Sequence, residues 1–250
     1  MVHDSAANDN LTDYHCHLLP DIDDGARHLA DSLAMAKLLV AAGYKIVHCT
    51  PHCMRGVYDP SPMKVYEAVA DLQRELIAEG IELELKPGME YFLDEFFPEA
   101  LSNPVPLGDT NYLLVEAPSN ADPLMLQENL FLAVRRGFRP LLAHPERAPL
   151  LTPSVKKNGL FDKIKSLAIK CPTEKTSTSG NEILDLLRQQ GCFFQGNLGS
   201  FSGYYGRGIQ AKARYFKSIG LYDCYGSDGH RPDALKQYLK QGLACISLSR

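Results

Sequence analysis

The sequence predicts an α/β protein folded as a closed (β/α) barrel. Short apolar runs alternate with longer segments of helical periodicity, a pattern typical of strand and helix units that build a parallel sheet. The chain of 250 residues holds seven such units, and this number fits a barrel better than an open sheet. We expect one domain covering residues 1–250, without internal repeats.

The strands are predicted from the apolar runs, several of which begin just after a glycine that would end the preceding helix. These glycines are Gly43, Gly137, Gly191 and Gly220. The seven predicted strands lie at about 12–17, 44–50, 82–88, 112–117, 139–144, 192–197 and 222–227.

The helices are predicted from amphipathic periodicity. Leucine and alanine recur at intervals of three and four residues in LADSLAMAKLLVAAG, and SPMKVYEAVADLQRELIAEG repeats this spacing with charges on the opposite face. Further helices are expected at 95–101, 122–136, 181–190, 208–219 and 232–241. The stretch at about 153–180 carries a Lys-rich segment and then a Ser/Thr run, so we predict an insertion there, formed by an extra helix and a mobile loop. A boundary between two domains is the alternative.

Composition excludes several classes of partner. The 26 basic and 30 acidic residues are mixed along the chain and give a net charge of -4, without the basic stripe that binds nucleic acid or anionic membranes. No apolar run approaches the roughly 20 residues of a membrane span, and the N-terminus lacks a secretion signal. Seven irregularly spaced cysteines are typical of buried thiols in a reducing compartment. We expect a soluble cytoplasmic protein.

Side chains that bind metals follow most of the predicted strands. His15 and His17 alternate on the first strand, so both imidazoles point to the same side. The other candidates at strand ends and in the adjoining loops are Asp24, His52, Glu90, His144, Asp228 and His230. Because the carboxyl ends of barrel strands share one face, we expect these eight groups to converge there. A single tetrahedral ion takes four ligands, so they predict two or three divalent ions of Mn, Fe or Zn. Clustered divalent ions favour phosphoester hydrolysis.

Taken in order, the motifs HCH, DDG, TPH, GME, AHPER and SDGH resemble the polymerase and histidinol phosphatase (PHP) superfamily. More narrowly, DYHCHLLPDIDDG, GYKIVHCTPHCMRGVY, GMEYFLDE, RPLLAHPER and SGYYGRG resemble the manganese-dependent tyrosine-protein phosphatases of bacterial capsule and exopolysaccharide operons. The similarity runs from about Asp13 to His230. It implies a distorted seven-stranded, TIM-like (β/α) barrel, the PHP fold, with a site for three ions, most favourably Mn, at the carboxyl ends of the strands.

The resemblance also implies roles for individual ligands. One ion would be held by His15, His17 and Asp228 with Glu90. A second would be bridged by Glu90 and held by His52 and His144, and a third by Asp24 and His230. Asp21 and Asp23 lie so close to Asp24 that the choice among these three stays open.

By the same resemblance, a hydroxide bridging the ions attacks the phosphorus of phosphotyrosine directly. Arg147 matches an arginine that contacts the phosphate, and a guanidinium fork suits two phosphate oxygens. His230 or a metal-bound water would protonate the leaving phenolate, and Glu90 completes the catalytic set. The implied physiological substrate is the tail of a membrane-bound bacterial tyrosine autokinase.

The substrate-binding candidates beyond Arg147 are Asn197, at the end of the sixth strand, and two residues of the segment 203–207. Tyr205 could stack on a substrate ring and Arg207 could contact phosphate. A turn with ordinary aromatic packing is the alternative for this segment.

Four other functions compete with this interpretation. Cys49 and Arg55 have the spacing of cysteine-dependent tyrosine phosphatases, but Pro51 has no N–H and no glycine precedes Arg55 in a loop that should cradle phosphate. Small-molecule phosphatase activity, as on histidinol phosphate, remains an alternative within the superfamily. The acidic balance argues against a nuclease, and the complete ligand set argues against a non-catalytic metal-binding module.

Overall fold

The structure, a computed structural model, describes residues 11–153 and 179–247. Its strands are β1 Leu11–Cys16, β2 Tyr44–Cys49, β3 His52–Cys53, β4 Glu84–Pro87, β5 Glu90–Phe92, β6 Tyr112–Glu116, β7 Arg139–Ala143, β8 Phe193–Asn197 and β9 Cys224–Gly226. Its α-helices are α1 Leu29–Ala41, α2 Pro62–Ala78, α3 Phe97–Ala100, α4 Pro123–Arg135, α5 Glu182–Gln189, α6 Leu198–Ser202, α7 Arg207–Ser218 and α8 Pro232–Ser247. Short 3-10 turns cover Pro145–Arg147 and Pro149–Leu151.

The described strands pair in parallel and form a distorted barrel, as the sequence predicts. One sheet has the order β1-β2-β4, and the other has the order β3-β5-β6-β7-β8-β9. Hydrogen bonds beyond β9 return to β1, from Asp228 N to His15 O at 2.7 Å and from His17 N to Gly229 O at 3.0 Å. The strand order therefore returns to β1, and the carboxyl ends of the strands share one rim.

The predicted strands at 44–50 and 82–88 form as β2 and β4, and each is followed, after a break, by a short strand that the prediction did not contain. The break between β2 and β3 lies at Thr50 and Pro51, and the break between β4 and β5 lies at Gly88 and Met89. Pro51 has no N–H to donate to a ladder. A Cβ at Gly88 would lie 2.7 Å from the Leu107 side chain, so the chain passes too close to its neighbour there for any larger residue.

The amphipathic helices form where they are predicted, because their sequences carry both caps and an apolar face. Helix α2 begins after Ser61, whose side chain accepts a hydrogen bond from Lys64 N, and Pro62 occupies the first turn. Its buried residues follow the spacing of four, three and four: Val65, Val69, Leu72 and Leu76. The short helix α6 is missing from the sequence prediction. The predicted insertion at about 153–180 lies, apart from its ends, outside the described residues.

Apolar side chains fill the barrel interior below the rim. Leu107, Leu114, Leu141, Ala143 and Cys224 form a buried cluster with Tyr14, Tyr112 and Phe193 packed against it. Because side chains alternate along a strand, Leu114 and Glu116 of β6 point to the same side. Glu116, at the end of β6, therefore lies at the rim, on the side of the strand that carries Leu114 of the apolar cluster. Within the described ranges, no helix is long and apolar enough to cross a membrane.

Candidate metal centre

The eight side chains expected to bind metal converge on the rim. We call them the ligand cluster: His15, His17, Asp24, His52, Glu90, His144, Asp228 and His230. At its centre, Nε2 of His15 lies 3.0 Å from Nε2 of His17. Oδ1 of Asp228 lies 3.4 Å and 3.5 Å from these two nitrogens. Both imidazoles leave β1 toward the rim, as their alternation predicts.

Glu90, at the start of β5, supplies the most informative atom of the ligand cluster. Its Oε2 is buried and has no hydrogen-bond partner. Three ring nitrogens surround this oxygen, those of His15 at 3.2 Å, His17 at 3.3 Å and His52 at 3.1 Å. Buried polar atoms normally have partners, and imidazole with carboxylate is a donor set for divalent transition metals. The residues present therefore fit bound divalent ions.

The potential ligand atoms fall into four overlapping groups among the described residues. These are His17, Asp24, His52 and His230; His15, His17 and Asp228; His15, Glu90 and His144; and His52, Glu90 and Glu116. The second group contains three of the four ligands that the resemblance implies for one ion, and Glu90 is the fourth. In the first group, His17 and His52 join Asp24 and His230. His144 groups with His15 rather than with His52.

Glu116 is the residue that the sequence prediction missed. It ends β6 and lies 3.9 Å from Nε2 of His144. Burial, together with the nearby charges of Glu90 and Asp228, raises the pKa of Glu116 to about 7. The signal was present, because the predicted fourth strand at 112–117 carries a carboxylate one residue before its end, close to the position that ligands occupy in other strands.

The three neighbouring aspartates differ in their contacts. Oδ1 of Asp24 lies 3.4 Å from Nε2 of His52 and 3.4 Å from Nε2 of His230. Asp23 points elsewhere: its Oδ2 accepts from His17 Nδ1 at 2.7 Å and from His52 N at 3.0 Å. Asp21 is exposed, with a positive φ of 53°. Asp24 therefore faces the ligand cluster directly, whereas Asp23 holds a ligand in place.

Burial and neighbouring charges shift the pKa values of the ligand cluster. Burial raises the pKa of Glu90, but the charges of His15 and His52 outweigh burial and hold it well below its usual range. Burial lowers the pKa of His15, but Glu90 and Asp228 outweigh it and raise the pKa to about 9. Burial, followed by the charge of Arg147, lowers the pKa of His144 to about 4. The carboxylates of the ligand cluster, Asp24, Glu90 and Asp228, are ionised at neutral pH, and metal must compete with a proton for His15.

Arg147 lies beside the ligand cluster at the end of the first 3-10 turn. Its Nη1 donates to Oδ2 of Asp228 at 2.6 Å, and its guanidinium carbon lies 4.7 Å from the centre of the Tyr205 ring. The side chain is 33% exposed, so further N–H groups face the solvent. Tyr205 thus stacks on Arg147. Arg207 is exposed in the first turn of α7, and none of the described hydrogen bonds or ion pairs joins it to the ligand cluster.

Asn197 has a different environment from the one expected of a substrate-binding residue. It is fully buried at the end of β8. Its Nδ2 donates to Asp228 Oδ2 at 2.7 Å, and its Oδ1 accepts from Gly199 N at 2.7 Å. Both ends of the amide have partners within the protein, so Asn197 supports Asp228, and its contact with a substrate stays a prediction.

The cysteine alternative is wrong on geometry. Cys49 is fully buried in the core, and burial raises its pKa far above the usual range. Arg55 is exposed, pairs with Glu99 and lies over the Phe96 ring. A nucleophilic cysteine needs an accessible thiolate beside a phosphate-binding loop, and these two residues provide neither. The cysteines in the described part of the chain are free thiols: Cys16, Cys49, Cys53, Cys192, Cys224 and Cys245.

A parallel α/β barrel with buried imidazoles and carboxylates around a partnerless carboxylate oxygen defines the class of metal-dependent barrel enzymes. The family model described as capsular polysaccharide synthesis, CpsB/CapC, matches residues 11–170, and the chain belongs to this family.

Relatives of known activity resemble most of the chain. The tyrosine-protein phosphatase YwqE of Bacillus subtilis is 30% identical over 235 residues, which cover 93% of this chain and 82% of YwqE. The tyrosine-protein phosphatase CpsB of Streptococcus pneumoniae is 22% identical over 245 residues, which cover 95% of this chain and 90% of CpsB.

Solved structures agree with this placement. A structure from work on YwqE of Bacillus subtilis and CpsB of Streptococcus pneumoniae, there called unique metal-dependent tyrosine phosphatases, superposes with a TM-score of 0.77 at 28% identity. That match covers 96% of this chain and 87% of the other. Histidinol phosphate phosphatase of Lactococcus lactis, at 14% identity, shares the fold with a TM-score of 0.53, over 94% of this chain and 92% of its own.

Proposed function

We propose that this chain is a metal-dependent protein-tyrosine phosphatase, a phosphoric monoester hydrolase that cleaves phosphotyrosine in proteins. The observation that carries the proposal is the partnerless Oε2 of Glu90 among three imidazole nitrogens, with Arg147 joined to the same cluster through Asp228. The first feature fits bound cations and the second fits a phosphoryl group. The tyrosine phosphatases of the same family support the choice of substrate.

The proposed cofactors are two to three divalent ions, with Mn favoured over Fe or Zn. Their ligands would be the ligand cluster together with Glu116, and Glu90 would bridge two of the ions. When bound, such ions lower the pKa of a coordinated water to supply a nucleophile at neutral pH and offset charge on phosphoryl oxygens.

The chain's own residues orient the substrate. Arg147 presents its free N–H groups to two phosphoryl oxygens, while Asp228 and the face of Tyr205 fix the guanidinium plane. Tyr205 therefore acts on the substrate through Arg147, and Arg207 is proposed to contact the substrate at the rim. His230 is 27% exposed and is the proposed acid for the leaving phenolate, unless water takes that role.

We further propose a cytoplasmic location and one phosphatase domain that includes the insertion at about 153–180. Membership in a capsular polysaccharide synthesis family supports the tail of a bacterial tyrosine autokinase as the physiological substrate. Nucleic acid is not a proposed partner, because the chain has a net charge of -4 without a basic stripe.

The test uses the full chain after metal removal with EDTA. Turnover of a phosphotyrosine peptide should be lost and should return when Mn²⁺ is added back. Histidinol phosphate and the matching phosphoserine peptide serve as comparison substrates and should turn over poorly. Activity that survives complete metal removal would overturn the metal-dependent mechanism. Preference for histidinol phosphate would indicate a small-molecule phosphatase, and no turnover of any substrate would indicate a binding module.

A further inference from the structure

The side-chain amide of Gln195 has a fixed orientation. Gln195 lies on β8 and is fully buried. Its Nε2 donates to the carbonyl oxygen of Gly196 at 2.6 Å, and its Oε1 lies 3.0 Å from Nδ1 of His15. An amide nitrogen can only donate and an amide oxygen can only accept, so the carbonyl of Gly196 decides which end faces the imidazole. In neutral His15, the form that binds a metal, Nδ1 must then carry the proton, which leaves Nε2 free to coordinate.

The contact spans three strands, because β9 lies between β8 and the end of β1. Gly226 of β9 makes it possible. A Cβ at Gly226 would lie 2.6 Å from Cβ of His15 and 3.0 Å from Nε2 of Gln195. Real Cβ atoms do not approach this closely. Because Gly226 has no side chain, Gln195 can reach His15 across β9.

Two other imidazoles of the ligand cluster also have Nδ1 bonded to an oxygen acceptor. Nδ1 of His17 donates to Asp23 Oδ2 at 2.7 Å, and Nδ1 of His230 donates to the carbonyl oxygen of Asp228 at 3.0 Å. In each case Nε2 faces the ligand cluster. His15 differs from both, because its acceptor comes from a neutral side chain on a distant strand.

We infer that Gln195 is a positioning residue that selects the His15 tautomer with a bare Nε2 and thereby strengthens binding of the ion at His15. The inference rests on the metal centre proposed above. Without Gln195, either ring nitrogen of neutral His15 can carry the proton and the ring loses the contact that fixes its plane. Hydrogen-bond partners of metal-binding histidines commonly change metal affinity by about 10-fold to 100-fold.

The test measures Zn²⁺ affinity of the full chain by competition with a chromophoric chelator. Gln195→Met keeps the shape of the side chain and removes the acceptor, so we expect affinity to fall by about 10-fold to 100-fold. Gln195→Glu keeps an acceptor oxygen toward Nδ1 of His15 and, as the neutral acid, an O–H donor toward the Gly196 carbonyl, so it should bind close to wild type. The matched control is Gln73→Met. Gln73 lies on helix α2, away from the ligand cluster, and its side-chain amide also forms hydrogen bonds with backbone groups, those of Leu83 and Leu85. This variant should bind like wild type.

The outcomes separate this inference from the metal centre itself. Wild-type affinity in Gln195→Met, or equal losses in Gln195→Met and Gln195→Glu, would overturn the role of Gln195 alone. Failure of the unchanged protein to bind Zn²⁺ would overturn the metal centre. A measurement that needs no variant is the ¹⁵N imidazole spectrum of the zinc-loaded protein. It should show His15 protonated at Nδ1 and coordinated through Nε2, and coordination through Nδ1 would contradict the inference.

Discussion

Arg147 and Asp228 form a 2.6 Å ion pair that uses only one oxygen of the carboxylate. Oδ2 of Asp228 receives Arg147 and Asn197, whereas Oδ1 faces His15, His17 and His230. The proposed phosphate contact is thus attached directly to a proposed metal ligand. A shift of Asp228 therefore changes the position of Arg147, and a shift of Arg147 changes that of Asp228. For this reason Arg147 is the first residue to test.

Replacement of Arg147 by lysine should lower kcat/KM for a phosphotyrosine peptide by about 10²-fold to 10³-fold, the usual effect of removing a donor from developing charge. Lysine keeps the positive charge beside Asp228 but lacks the planar fork. Metal content, measured by plasma mass spectrometry, should stay at the wild-type level. Arg55→Lys is the control, because Arg55 is exposed on the surface and pairs with Glu99. An equal loss in both variants would refute a specific role for Arg147.

Tyr205→Leu should lower kcat/KM by about 2-fold to 30-fold, since a cation–π contact is worth roughly 0.5 to 2 kcal/mol. Tyr205→Phe keeps the ring over the guanidinium and should remain close to wild type. If the two variants behave alike, the stacking at 4.7 Å does not position Arg147.

Asp24 and Asp21 should differ in their effect on the number of bound metal ions. Asp24→Asn should lose one bound ion per chain, because a neutral amide is a poorer ligand opposite His52 and His230. Asp21→Asn is the control: Asp21 is exposed, and asparagine tolerates its positive φ of 53°. Ion counts after gel filtration in chelator-treated buffer give the result. Loss of an ion from Asp21→Asn would contradict the assignment.

Strand ends were a good predictor of the ligand cluster because parallel strands deliver their last residues to one rim. His15 and His144 reach it at the ends of β1 and β7, and His52 and Glu90 reach it just past β2 and β4, where β3 and β5 begin. Asp23 and Asp24 lie in a loop, where the path of the chain decides which carboxylate faces inward, and no periodicity encodes that path. Asn197 also ends a strand, but its burial and its bond to Asp228 depend on packing between distant segments.

Sequence patterns predicted the order of strands and helices, but they did not predict the strand break at Gly88 or the contact between Gln195 and His15. Alternation and caps specify each strand and helix locally, so their order and approximate bounds could be read from the chain. The break at Gly88 depends on Leu107, and the contact of Gln195 with His15 depends on Gly226. Such approaches join residues far apart in sequence, and a single sequence contains no signal for them.

Glu116→Gln should weaken binding of the ion shared with His52 and Glu90. A glutamine keeps one acceptor oxygen but removes the negative charge that offsets the ion. We expect Mn²⁺ activation of the Glu116→Gln variant to require a concentration about 10-fold higher, the size of effect seen when metal surroundings are altered. Glu128→Gln, on the outer helix α4, is the control. An unchanged activation curve would exclude Glu116 from the metal centre.

Asp13 gives a prediction for the pH dependence of stability. Its Oδ1 accepts from Ser227 N and His15 N, whereas its buried Oδ2 has no partner. Burial raises the pKa of Asp13 from 3.8 to about 6 in the folded chain. The folded state therefore binds this proton more tightly than the unfolded state. The resulting stabilisation is complete below pH 4 and is lost as the pH rises through 6, at a cost of about 3 kcal/mol.

Asp13→Asn keeps Oδ1 as an acceptor and cannot ionise. In metal-free protein, the free energy of unfolding of this variant minus that of wild type should therefore increase between pH 4 and pH 7. Urea titrations at several pH values measure it, and the subtraction cancels the titration of histidines present in both proteins. Asp109→Asn, at an exposed position, should show a constant difference. A constant difference for Asp13→Asn as well would mean that the pKa of Asp13 is the same in the folded and the unfolded protein.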